Sequence, residues 1–210
     1  HSKWMDNSGN GSKIFHKKIR DRMTSTELFQ HQLRKGREGE DAFRIMANKH
    51  FDEVVDYTNY QMWRGVQSKG IDFAFKQRHW SDYITCDVKT TMFYQDNNYH
   101  QGYVFNIEYE KWCQEEYHNH KKAIHDGWIQ DSRANRIYHF ERGTMNYVYY
   151  DLDEMRSFIY REWDRPNGWL QKLSYIGSRK SDYARLIPVR LTDERFKHLI
   201  RKVSIEGYNA

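Results

Sequence analysis

The sequence predicts an α/β fold with a mixed central β-sheet flanked by helices. Three observations point there. A long amphipathic pattern over residues 24–50 has helical spacing. Period-two alternation then recurs in several short stretches, and helical and strand-like patterns interleave to the end with no linker between them.

Thr24 and Glu27 fit a capping box that opens the first helix. It is expected to reach about His50, with Gly36 and Gly39 as weak points where it could break in two. Its apolar seam is written Phe29, Leu33, Gly36, Glu40, Phe43, Ala47, His50. Strands are expected over 53–57, 70–75, 81–89 and 103–109. In the second, Ile71, Phe73 and Phe75 share one face. In the third, Ile84, Cys86 and Val88 oppose Thr85, Asp87 and Lys89. Residues 111–124 read as a helix ending at Gly127, and 136–140 with 146–150 as a hairpin. A helix over 153–163 stops before Pro166 and Gly168. Residues 184–191 form a last strand, and Thr192 caps a final helix to about Val203.

Composition narrows the function classes. With 34 Lys and Arg against 29 Asp and Glu, the net charge of +5 leans mildly toward a polyanionic partner. No run of 18 apolar residues occurs, which excludes a transmembrane helix. Cys86 and Cys113 are too few for a disulfide scaffold or a four-cysteine zinc site, so the chain reads as intracellular and cytoplasmic. The 16 Tyr, 11 Phe and 7 Trp must fill most of the core, since leucines are few. His1-Ser2 reads as a tag remnant, the polar first residues show no signal peptide, and 1–23 form a basic arm. Residues 24–210 are expected to form one domain, with a core over 24–125 and an elaboration over 126–210.

Chemistry concentrates between residues 36 and 91. Glu40 falls on the inward seam, where a lone carboxylate is costly unless paired or bound to a cation. Asp87 and Lys89 share a strand face about 6.5–7 Å apart. Asp72 sits opposite its apolar neighbours on the preceding strand. If those strands pair, Asp72, Asp87, Lys89 and Glu40 converge. Three carboxylates and one lysine suit a hard divalent cation such as Mg²⁺, which takes oxygen ligands and keeps several waters. The lysine offsets carboxylate repulsion and can orient a water or a developing oxyanion.

Gly70-Ile71-Asp72, a spacer of fourteen residues, then Asp87-Val88-Lys89 resembles the PD-(D/E)xK nuclease superfamily, without the proline that names the motif. The upstream Gly36-Arg37-Glu38-Gly39-Glu40-Asp41-Ala42-Phe43 is similar to the glutamate-bearing first helix of archaeal Holliday-junction resolvases and their bacterial relatives. A weaker likeness to phage-type members continues into Gly127-Trp128-Ile129 and Leu186-Ile187-Pro188-Val189. The resemblance implies a restriction-endonuclease-like core of order α-β-β-β-α-β and a Mg²⁺-dependent DNA endonuclease in which Mn²⁺ substitutes. Asp72, Asp87 and the Val88 carbonyl would hold the metal, Glu40 would assist there, and Lys89 would position the attacking water. The products would be a 5′-phosphate and a 3′-hydroxyl. Lys69, Lys76, Arg78, Thr90 and Thr91 would contact the nucleic acid.

Other readings stay open. A junction resolvase, acting as a homodimer, an RNA endonuclease, or a non-catalytic nucleic-acid-binding protein would share the scaffold. Tyr94, Tyr99 and Tyr103 are core residues or platforms for unpaired bases. Arg179, Lys180, Arg185 and Arg190 track a phosphate backbone or form a solvated basic loop. His118-Asn119-His120 reads as a solvated helix face before a surface zinc site, and Cys86 as a buried hydrophobe.

Overall fold

A computed structural model of the chain describes residues 25–91, 104–113, 125–141, 146–178 and 182–204. The chain divides into two compact units, one up to Glu38 and one from Gly39 onward. The described part of the first, 25–38, is entirely helical. The basic arm, the capping Thr24, Tyr94, Tyr99, Tyr103, His118 to His120, Arg179 and Lys180 lie outside the described residues.

Helix α1 (Ser25–His50) is continuous through both glycines. From Gly39 on, its inner face is Gly39, Ala42, Phe43, Met46 and Ala47, all buried. The expected seam keeps Phe43 and Ala47 but is rotated. Glu40 and His50 stand at its margins, half-buried, because the apolar stripe is centred between the 39/43 and 42/46 rows. Next come β1 (Glu53–Asp56), α2 (Tyr60–Gln67), β2 (Phe73–Lys76) and β3 (Ile84–Thr91).

After β3 the chain leaves the sheet. β4 (Val104–Cys113) runs through positions 111–113, where a helix was expected; the rest of that expected helix, 114–124, lies outside the described residues. β5 (His125–Asp126) and the short α3 (Trp128–Asp131) lead to β6 (Arg136–Glu141) and β7 (Asn146–Asp151), which form the expected antiparallel pair. Helix α4 (Leu152–Trp163) is capped by Asp151, whose side chain accepts from the amides of Asp153 and Glu154. Helix α5 (Trp169–Leu173), β8 (Tyr175–Ser178) and β9 (Asp182–Arg190) follow. The final helix is cut short. α6 (Glu194–Lys197) is capped by Asp193 rather than Thr192, and 201–204 form a strand, β10 (Arg201–Ser204).

The fold is mixed α/β. The central sheet has the order β1-β2-β3-β6-β7-β10, and β4, β5, β8 and β9 make a second sheet of order β5-β4-β9-β8. In the central sheet β3 and β6 run parallel, with Asp87 opposite Ile137 and Lys89 opposite His139. Its other neighbouring strands are antiparallel. A parallel pair needs a long crossover, and here that crossover carries β4, β5 and α3.

Two cores result, one on each face of the central sheet. Phe43, Met46, Phe73, Phe75, Cys86, Val88, Tyr138 and Tyr147 pack α1 onto the first face. The Phe43 ring lies 4.9 Å from those of both Phe73 and Tyr138. Phe105, Ile107, Ile187 and Val189 of the second sheet join Ile137, Val148, Tyr150 and residues of α4 on the other face. Ile71 packs in this second core, not with Phe73 and Phe75 as expected, because strand geometry begins only at Phe73.

Gly39 sets how closely α1 approaches the sheet. A Cβ there would lie 2.2 Å from Thr90 Oγ1 and 3.4 Å from Phe140 Cβ, while the buried Tyr147 hydroxyl donates to the Gly39 carbonyl at 2.9 Å. Gly65 in α2 has nothing within 4 Å of an added Cβ. Gly39→Ala is therefore expected to lower stability by about 1–2 kcal/mol despite the better helix propensity of alanine. Adding Thr90→Ala should recover most of that loss, and Gly65→Ala should be neutral or stabilising. Urea unfolding of the four proteins checks this.

Candidate active site

The pairing that sequence reasoning needed is present. β2 and β3 are antiparallel, with Phe73 opposite Cys86 and Ala74 opposite Thr85. The Asp72 amide donates to the Cys86 carbonyl at 2.8 Å, so the ladder continues one residue beyond β2. Asp72 Oδ2 in turn accepts from the Val88 amide at 2.8 Å. Alternation puts Cys86 and Val88 on the α1 face and Asp87 and Lys89 on the opposite face, toward the second sheet.

Asp87 is 2% exposed. Lys89 Nζ stands 2.7 Å from Asp87 Oδ2 as an ion pair, although this oxygen accepts no aligned hydrogen bond among the described residues. Lys89 is densely surrounded along its stem yet keeps 35% of its side chain exposed. Burial by itself would lower the Lys89 pKa. The charges of Asp87, Asp72 and Glu108 outweigh that and hold it above the ordinary lysine value. Asp72 behaves differently. Burial first, then the charge of Asp87, push its carboxyl up to about 8, against the Val88 hydrogen bond and Lys89. Glu40 adds a smaller push in the same direction.

Two converging carboxylates, one of them held protonated by desolvation and by the other, fit a cation. Mg²⁺ is satisfied by two carboxylates with waters completing its shell. Among the described residues, no group of three or more His, Cys, Asp and Glu side chains is placed to hold a metal. Glu40 acts on Asp72 through charge, from a helix packed on the other face of β3. The Val88 amide points toward Asp72. In extended strand backbone a residue's amide and carbonyl point to the same side, so the Val88 carbonyl faces the same way.

The expected nucleic-acid contacts are dispersed. Lys69 is exposed, and its carbonyl accepts from the Arg133 amide at 2.7 Å, close to Asp72 in the chain. Lys76 pairs with Glu53 at 3.1 Å and Arg78 with Asp52 at 3.9 Å, at the end of β2 away from Asp72. Thr90 lies against Gly39 under α1, not beside the aspartates. The Thr91 side chain lies outside the described residues. Of the C-terminal basic cluster, Arg185 pairs with Glu110 on β4 at 3.0 Å.

Sequence reasoning missed three residues. Glu108 is 7% exposed and its charge reaches Lys89. The Trp128 ring centroid is 5.7 Å from Lys89 Nζ. His139 is 1% exposed, stacks on Phe105 at 4.2 Å and lies 3.3 Å from the Tyr150 hydroxyl. Burial and then the charge of Lys89 hold its pKa down to about 3, so it is neutral at ordinary pH. Trp128 lies in the quoted Gly127-Trp128-Ile129 segment, but no local pattern gives any of the three a role beside Lys89. Glu108 falls on the polar side of an alternating strand, where solvent exposure would be expected, yet it is buried.

Comparison of the chain with protein-family models, with curated proteins and with solved structures finds no match in any of the three. No described helix is long and apolar enough to cross a membrane.

The raised Asp72 value has a pH consequence. Between its ordinary value near 4 and about 8, the folded protein keeps a proton that the unfolded chain has lost. This stabilisation is complete below pH 4 and is lost as pH rises through 8. In chelator, the wild-type chain should therefore weaken between pH 5 and pH 9 by about 2–5 kcal/mol relative to Asp72→Asn, whose amide cannot ionise. Urea midpoints at pH 5, 7 and 9 measure the divergence.

Proposed function

We propose that the chain is a divalent-metal-dependent endonuclease that hydrolyses DNA phosphodiester bonds. The observation that carries this is the convergence of Asp72 and Asp87 on adjacent strands, with Lys89 beside them on the Asp87 face. The parallel pairing of β3 with β6 supports this reading, although α2 stands between β1 and β2, where the implied α-β-β-β-α-β order has no helix.

Asp72 and Asp87 would hold Mg²⁺, with the Val88 carbonyl as a further donor. When bound, the metal acidifies water and neutralises charge on the phosphate. Lys89 stays protonated, since neighbouring carboxylates hold its pKa above the ordinary value. It therefore serves as a donor through Nζ, orienting the incoming water and stabilising phosphate oxygens, and not as a general base. Asp87 holds the ammonium in place. Glu40 adds negative charge at the Asp72 side of the site. Hydrolysis of this kind adds water across one P–O bond, leaving a 5′-phosphate and a 3′-hydroxyl. The basic balance of the chain supports a polyanionic substrate.

The test is cleavage of supercoiled plasmid, linear duplex, single-stranded DNA, a four-way junction and RNA, with Mg²⁺, with Mn²⁺ and with chelator. Metal-dependent cutting of DNA is expected, reduced about 10²–10³-fold in Lys89→Ala and at least as much in Asp87→Asn. Preference for the junction would identify a resolvase. Absence of cutting by folded protein on every substrate would overturn the assignment and leave a binding protein.

A further inference from the structure

We propose that residues 127–133 act as a strap that positions Lys89, with Trp128 as the positioning residue. Its catalytic consequence rests on the nuclease assignment above; its structural content does not.

The strap is tied at both ends and in the middle. At its start, the Gly127 amide donates to the Tyr109 carbonyl at 3.0 Å. A Cβ on Gly127 would fall 2.2 Å from the Glu108 carbonyl oxygen, so the approach to β4 requires glycine. β4 shifts register against β9 between Glu108 and Glu110 at this same place, and such irregularities re-aim neighbouring side chains. At its end, the Arg133 amide donates to the Lys69 carbonyl at 2.7 Å and Ser132 Oγ to the Gly70 carbonyl at 3.1 Å. These are the residues leading into Asp72. Between the ends, Arg156 of α4 donates to the Ile129 carbonyl at 2.6 Å, to that of Gln130 at 3.2 Å and to that of Ser132.

This anchoring sets Trp128 beside the ammonium of Lys89, 5.7 Å from Nζ to the ring centroid. The indole is also 6.0 Å from the His139 ring, which is itself stacked on Phe105. A free lysine has a flexible four-carbon stem and loses rotamer entropy when fixed. Asp87 fixes the ammonium from one direction. The indole face supplies a second fixed attraction, by cation–π contact, and buried Glu108 adds negative charge. The same seven residues thus hold both the lysine and the turn that carries Asp72.

Two measurements test this together. Protein carrying lysine labelled with ¹³C at Cε should show one Hε/Cε signal, assigned by its absence in Lys89→Ala, displaced upfield of the exposed lysines by the indole ring current. Trp128→Leu should return that signal to the exposed-lysine position, and Trp128→Phe should retain part of the displacement. In cleavage kinetics, Trp128→Leu should lower kcat about tenfold with KM for DNA unchanged, and Trp128→Phe should restore most of the rate. In a Lys89→Ala background, Trp128→Leu should add nothing further. A Lys89 signal at the exposed-lysine position in the wild type, or one unmoved by Trp128→Leu, would overturn the strap. So would equal losses from Trp128→Leu with and without Lys89. A displaced signal in a protein that cuts no nucleic acid supports the strap and defeats the nuclease assignment instead.

Discussion

Two carboxylates and one ammonium are held where water is scarce, and much of this structure serves that arrangement. Asp72 and Asp87 repel each other across neighbouring strands, and Lys89 balances only one of the two charges. In water the repulsion would be weak. Here burial first, and then that repulsion, keep Asp72 protonated well above the usual carboxylate range. Such a site gains from a cation.

The covering is built from aromatic side chains. Phe105 stacks on His139 and lies 5.8 Å from Tyr150, forming a wall behind the ion pair. On the α1 face, Phe43 makes tilted and edge contacts with Phe73, Phe75, Tyr138 and Tyr147. These rings tie the helix to β2, which follows Asp72, and to β6 and β7. The crossover between parallel β3 and β6 is what brings β4 and α3 over the face that carries Asp87 and Lys89. A helix alone could satisfy the parallel connection. Here the connection also contributes Glu108 and Trp128.

What could be read in advance was local. The alternation over 84–89 correctly separated Cys86 and Val88 from Asp87 and Lys89, since period-two patterning survives wherever both faces are differently buried. The helix over 153–163 was legible from Met155, Phe158 and Ile159 at helical spacing. Glu40 was placed too far inward, because a seven-residue seam does not fix helix rotation when small residues such as Gly39 and Ala42 form the true contact. Helix α2 carries little signal: its N-cap residue Asn59 makes no side-chain cap bond, and Trp63 departs from helical geometry. Positions 111–113 read as helical, yet pairing of Lys111 and Trp112 with Ala184 and Tyr183 makes them strand. The contacts of the strap are not legible in the sequence for the same reason. Its partners at 69–70, 89, 108–109 and 156 are scattered along the chain.

On the proposed reading, Asp72 and Asp87 take up a divalent cation in exchange for the proton held on Asp72. Calorimetric titration of Mn²⁺ into the protein at pH 6.5, in two buffers of different ionisation enthalpy, tests it most directly. Binding with release of about one proton per ion, abolished when both aspartates become asparagine, is the predicted result. Absence of binding, or binding without proton release that survives the double substitution, would contradict it.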